Sequence, residues 1–228
     1  MKRKMIEEIR AKEYLQQRLS AERNMSKVIV SRFKEAIRRI LAIFDRYDIE
    51  PKEALVLPLQ AEREIEAVIK WLTKTLHTDV EELCFAADTK QKDHIVAFVN
   101  KAIIGMTLAS RIKKWAEGYV GWVRAMYAKG LLHDVPPALP MKSGSQYGMD
   151  RLLRHTIARA WMEAKKQKAM DNDAVFFSTH RGSSYPCAVC DDEQAKGLQP
   201  ISQFSLPLHN NCCCYAVFYN KDKQPINI

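Results

Sequence analysis

Two short stretches near the C-terminus, "YPCAVCDDE" and "LHNNCCCYAVF", hold five of the six cysteines of the 228-residue chain. Cys187 and Cys190 are spaced C-x2-C, the separation at which two thiolates on one tight turn bind a single ion. After eighteen intervening residues comes His209, followed by Cys212, Cys213 and Cys214. One ion held by the resulting pattern, C-x2-C-x18-H-x2-C, would bring two loops together in space. Zinc suits such a Cys3His set, because it asks for little beyond tetrahedral coordination and favours sulfur and imidazole. If "CCYAVF" is extended, successive side chains alternate, so Cys212 and Cys214 share one face and Cys213 points the other way. The candidate ligands are therefore Cys187, Cys190 and His209, with Cys212 or Cys214 in fourth place. A closed set of four would be structural, fastening a unit too small to build its own core.

Other readings of the cluster stay open at this level. The N-terminal "MKRKMIEEIRAKEYLQQ" carries acids throughout and lacks the form of an export signal. A reducing compartment is the expectation, which disfavours stable disulfides. Free cysteines packed as small hydrophobes are the main alternative. A catalytic thiol with His209 as base lacks an identifiable orienting group or oxyanion site. His180, ahead of "RGSSYP", reads as a loop residue rather than an added ligand.

Upstream, the sequence to about Gly130 reads as helix, with apolar residues at steps of three and four. Phe33, Ile37, Ile40, Leu41 and Phe44 mark one face, and Ile65, Val68, Ile69, Leu72 and Leu76 another, with Pro51 and Pro58 between them. Thr78 and Glu81 form a capping-box signature that predicts a new short helix through Cys84. Three more helical pieces are expected after it. The most apolar window, "IVAFVNKAIIGMTLA", is broken by Asn100 and Lys101 and is shorter than the roughly 20 apolar residues of a membrane span, so it reads as a buried core helix. Leu108, Ile112, Trp115, Tyr119, Trp122 and Met126 alternate steps of four and three, as a bundle seam does. Gly118 and Gly121 in that stretch would permit a close neighbour or mark a kink.

Composition then shifts. "HDVPPALPMKSGSQYG" reads as a loop or hinge, placing the expected boundaries at a helical region 1–135, a hinge 136–149 and a C-terminal unit 150–228. That unit opens with a helix capped by Asp150, with Leu153, Ile157, Ala160, Trp161 and Ala164 on one side. Beyond Asn172, "AVFFSTH" and "CYAVFY" are β-prone. The fold class is thus α+β: a mainly helical N-terminal region and a small β-rich, zinc-fastened C-terminal unit.

Charge is unevenly placed. The chain carries 36 Lys and Arg against 27 Asp and Glu, with an excess of +7 in residues 1–40 and +4 in residues 150–170. Such local excess suits phosphate or an acidic protein surface, though interleaved acids are equally the mark of a solvated helix face. In the second segment the candidate contacts are Arg151, Arg154, Arg159, Lys165, Lys166 and Lys168.

The order of these parts carries a resemblance. A helix "RHTIARAWMEA", a β-prone run, C-x2-C, the stretch "DDEQAKG" and then "LHNNCCCYAVF" resembles the C-terminal part of the phage Mu protein F-like family, the minor head or head-morphogenesis proteins of tailed phages. Arg154, Ala158, Arg159, Ala160 and Trp161 match the family's helix, and Cys187, Cys190, His209, Cys212 and Cys214 its Cys/His segments. His155 and Thr156 stand where the family has Thr and Glu, Asn210 replaces a proline and Cys213 a basic residue. The likeness spans about residues 150–219. It implies a non-enzymatic protein of the virion head, present in the host bacterial cytoplasm during assembly. Its implied partners are portal and capsid proteins and packaged DNA, and it would assist head assembly, packaging or ejection. Two rivals are a nucleic-acid-binding module with a structural zinc, and a zinc-stabilised nuclease of the treble-clef kind, which would need a further histidine on a downstream helix.

Overall fold

The computed structural model describes residues 2–136 and 144–228. Among the described residues six α-helices run over Lys2–Arg46 (α1), Leu59–Phe85 (α2), Lys92–Asn100 (α3), Leu108–Ala128 (α4), Ser145–Met170 (α5) and Ala188–Ala195 (α6). Three strands, Phe176–His180 (β1), Leu198–Pro200 (β2) and Tyr215–Tyr219 (β3), form an antiparallel sheet in the order β2-β1-β3. The α+β class expected from sequence is the class observed.

The chain forms two compact units, each discontinuous in sequence: Met25–Glu82 with Asn100–Leu153, and Met1–Asn24 with Leu83–Val99 and Arg154–Ile228. We call them the helical unit and the sheet unit. The expected hinge over 136–149 falls mainly on residues 137–143, which lie outside the described residues. From Ser145 onward the chain is already helical, so Asp150 does not cap α5. It is buried inside the helix and accepts a hydrogen bond from the Ser26 hydroxyl.

In the helical unit the two predicted apolar faces are core. Phe33, Ile37, Ile40 and Phe44 are buried, as are Ile65, Val68, Leu72 and Leu76, while Leu41 and Ile69 sit at the margins. Ion pairs Arg32–Asp79 and Arg46–Glu64 set these stretches of α1 and α2 antiparallel. Ring contacts Phe33–Tyr119 and Phe44–Tyr127 set α4 parallel to α1.

Three local expectations are corrected. No helix begins at Thr78: α2 runs on to Phe85, because Val80 and Cys84 extend the buried stripe of Leu72 and Leu76 at four-residue steps, and burial outweighs a capping signature. The apolar window 95–109 is not one helix. Asn100 ends α3, Ile104 and Gly105 take positive φ of 52° and 73°, and Thr107 caps α4 by accepting from the Ser110 amide. Ile104 is 98% exposed as a result. The seam of α4 is shifted: Leu108, Ile112 and Tyr119 are buried as expected, but Ala116, Val120 and Val123 complete the buried face. Trp115 instead lies over Gly148 of α5, where a Cβ would come within 2.2 Å of its ring, and Trp122 and Met126 are half-buried. α4 continues through Gly118 and Gly121, and among the described residues nothing approaches within 4 Å of a Cβ placed at Gly121.

In the sheet unit α5 is the central element. Its predicted stripe, Ile157, Ala160, Trp161 and Ala164, is buried, and Ala158, Met162, Lys165 and Ala169 are buried too. Trp161 donates from its indole to the Leu83 carbonyl, and its own carbonyl accepts from Tyr14 of α1. β3 is buried along its whole length, because both its faces are covered. Ala216 and Phe218 join a core with Phe177, Met162 and Leu206, while Tyr215, Val217 and Tyr219 pack with Ala11 and Leu15 of α1. The period-two alternation of a strand separates these two cores.

Candidate metal centre

Two turns of the same kind build the site. At the start of α6 the Cys190 amide donates to the Cys187 carbonyl at 3.0 Å, and before β3 the Cys212 amide donates to the His209 carbonyl at 3.2 Å. An i to i+3 turn brings the first and last side chains to one side, which is the physical content of both the C-x2-C and the H-x2-C spacing. Asn211 adopts φ +62° in the second turn, a conformation asparagine tolerates better than most residues.

The two turns face each other. His209 Nε2 lies 3.2 Å from Cys187 Sγ and 3.1 Å from Cys190 Sγ. Its Nδ1 donates to the Asn210 carbonyl at 2.7 Å, which places the proton there and leaves the Nε2 lone pair directed at the sulfurs. Metal-binding histidines are oriented in this way. Cys187, Cys190 and His209 form one group with ligand atoms within 4.8 Å of one another, and Cys190, Cys212 and Cys214 form a second. Cys190 belongs to both. As alternation along an extended run predicts, Cys212 and Cys214 are buried with Cys190, whereas the Cys213 thiol turns back to the Asn211 carbonyl.

The thiol equilibria show what such crowding does. The Cys214 thiol donates toward Cys212 and holds it down to about 5. Burial pushes Cys190 up to about 12, and Cys214, as the donor to Cys212, is raised well above the ordinary thiol range. Hydrogen bonds from the Cys190 backbone and thiol lower Cys187, and the hydrogen bond to the Asn210 carbonyl raises His209. Protons are thus shared among sulfurs that cannot all ionise together. A divalent cation at their centre would replace those protons and remove the repulsion.

The donor set fits zinc by chemistry and spacing. Zn–S and Zn–N bonds of about 2.3 and 2.0 Å at tetrahedral angles separate sulfur from nitrogen by about 3.5 Å. The observed 3.1 and 3.2 Å need to open by only a few tenths of an ångström. All six cysteines are free thiols. A small cavity of about 60 Å³ beside the cluster is lined by Arg181, Ser183, Tyr185, Asn211 and Cys213 as well as by ligand candidates. His180 is not in a loop: it ends β1, its Nε2 is 2.8 Å from the Ser178 hydroxyl, and it stacks on Tyr215, outside both metal groups.

The basic candidates of α5 are not gathered on one face. Lys165 is buried, donates to Ile228 O and lies 4.8 Å above the Tyr14 ring. The expectation that it faces a partner is therefore corrected: the lysine stem fills space between α5 and α1. Arg154 pairs with the buried Glu22 at 3.6 Å, Arg159 lies over the Phe98 ring and Lys166 is 3.9 Å from Glu163. Arg151 and Lys168 are exposed, about 25 Å apart along the helix at 1.5 Å per residue.

Two residues next to the site were not singled out in the sequence. Arg18, read there only as part of the basic N-terminal excess, is fully buried and donates to the Cys212 carbonyl. Gly182, in the "RGSSYP" loop, sits where a Cβ would come within 2.2 Å of the Cys213 carbonyl oxygen. For Arg18 a signal existed: it stands three residues after Leu15 and three before Ala21, on the apolar side of α1. Compared with models of protein families, with curated proteins and with solved structures, the chain matches none.

Proposed function

We propose that this protein is a minor head, or head-morphogenesis, component of a tailed phage, with one zinc ion fastening its sheet unit. In this reading it is built in few copies into the procapsid beside the portal or inner shell. It assists head assembly, DNA packaging or ejection and carries out no turnover. The zinc is held by Cys187, Cys190, His209 and one of Cys212 and Cys214.

The observation that carries this reading is the meeting of the two Cys/His turns beside β3. Those are the segments on which the likeness to the phage Mu protein F-like family rests, and the helix of that likeness, around Arg154–Trp161, packs in the same unit. The nucleic-acid-binding alternative draws less support, because Lys165 and Arg154 serve internal contacts. The nuclease alternative lacks its downstream helix, since none follows β3 among the described residues.

Two measurements test the proposal separately. Elemental analysis of freshly purified protein is expected to give one zinc per chain; a metal-free protein that stays folded removes the zinc. Genes for a portal protein, a terminase and a capsid protein are expected beside this one, with the protein itself present in purified particles. Neighbours of unrelated kind would remove the phage-head role.

A further inference from the structure

We propose that Arg18 is the positioning residue of the metal loop, and that through it ion binding at the cluster and seating of the N-terminal helix on the sheet are one coupled event. The inference rests on the metal reading above and goes beyond it, because it assigns α1 a part in the site.

Arg18 has no exposed surface, although it is a long cation on a helix. Its Nη2 donates to the Cys212 carbonyl at 2.5 Å, and its Nε is 3.2 Å from Glu22 Oε1, which is itself buried. Glu22 also pairs with Arg154 of α5. A buried guanidinium is tolerated only where acceptors meet it, and the Cys212 carbonyl is one of the groups that do so. The same peptide carries the Cys212 side chain, so the direction of that carbonyl helps fix where the thiol points. Holding the groups that orient a ligand is a recognised determinant of metal affinity.

A second junction locks the same loop. A Cβ at Gly182 would lie 2.2 Å from the Cys213 carbonyl oxygen and 2.3 Å from Leu15 Cδ2 of α1. The loop after β1, the cysteine run and α1 therefore meet with no room for a methyl group. Immediately downstream, Tyr215, Val217 and Tyr219 pack under Ala11 and Leu15, while Cys212 and Cys214 belong to the core on the opposite face. The ion would sit on one side of this segment and α1 on the other. If the loop shifts when the ion leaves, Arg18 loses an acceptor while remaining buried. Coupling of this kind is reciprocal, so disturbing α1 must weaken the ion by the same factor.

The test uses the full chain and Co2+ as probe, followed by its thiolate charge-transfer absorption. Arg18→Met is expected to weaken Co2+ binding by about 10- to 100-fold, Arg18→Lys to recover part of the loss, and Arg38→Ala, on the exposed part of α1, to leave it unchanged. Gly182→Ala is expected to weaken binding in the same direction as Arg18→Met. In the wild-type protein, zinc removal by a chelator should raise amide exchange in residues 8–22 of α1 as well as in residues 187–214. This last comparison decides the matter even if the variants do not fold. Loosening confined to residues 187–214, or unchanged Co2+ affinity in a folded Arg18→Met protein, overturns the coupling and leaves the metal site standing. No charge-transfer band in the wild-type protein overturns both.

Discussion

Lys165 shows how a side chain's chemistry is set by its surroundings. Its ammonium group sits above the Tyr14 ring and donates to Ile228 O, and burial lowers its pKa from 10.5 to about 8. Because the folded value lies below the unfolded one, the unfolded chain binds the extra proton between pH 8 and 10.5. The lysine therefore costs the fold most below pH 8, and that cost falls as pH rises through this window. Relative to Lys165→Met, the wild-type protein is expected to gain about 1 kcal/mol of stability between pH 7 and 9. Denaturant unfolding of both proteins at the two pH values reads this directly, and a gap that does not narrow contradicts it. From sequence Lys165 looked like any surface lysine of an amphipathic helix, because the Met162 and Ala169 side of α5 carried no conspicuous apolar stripe. Cys212 and Cys214 were easier to place, since alternation in an extended run is a local property and survives whatever packs around it.

At the scale of elements, two threonines separate a capping signature from a cap. Thr107 accepts from the Ser110 amide and starts α4, so Thr107→Ala is expected to cost about 1 kcal/mol. Thr78 is exposed in the middle of α2, so Thr78→Ala should change stability by a few tenths of a kcal/mol at most, in the favourable direction. Chemical denaturation of the two variants distinguishes them, and equal losses would mean that α2 breaks at Thr78. Only Thr78 has the Thr-x-x-Glu spacing, whereas Thr107, which does cap a helix, has Ser110 three residues on. What decides at Thr78 is that Val80 and Cys84 continue the buried line of Leu72 and Leu76. The apolar window 95–109 misled in the opposite way: its hydrophobicity suggested one helix, whereas Gly105 and Thr107 turn the chain and start another. The stripes of α1, α2 and α5 were legible because each repeats over several turns. The seam of α4 was not, because Trp115 and Trp122 fit the same spacing as the true core positions.

At the scale of the molecule, the two compact units make a prediction about metal removal. An ion bound only by the folded state stabilises what it fastens, by about 2.7 kcal/mol at a concentration one hundred times its Kd. The candidate ligands all belong to the sheet unit. A strong chelator is therefore expected to lower the melting temperature of the sheet unit, with loss of protection in residues 173–228. The cores around Ile37, Leu72 and Val123 in the helical unit should keep theirs. Exchange mass spectrometry along a thermal ramp would show this, and equal loss in both units would mean that they unfold as one. Sequence by itself determined the helical stripes, the two β-prone runs that pair as β1 and β3, the turn spacing of Cys187–Cys190 and His209–Cys212, and the α+β class. All of these follow from periodicity and short-range sterics. Only the tertiary structure decided that the two Cys/His turns face each other, that Lys165 and Arg18 are interior, and that the first 24 residues join the C-terminal sheet in one unit. Those outcomes depend on which surfaces remain to be covered once the local elements exist: the two turns meet across 19 to 22 residues of chain, and Arg18 reaches the Cys212 carbonyl across 194.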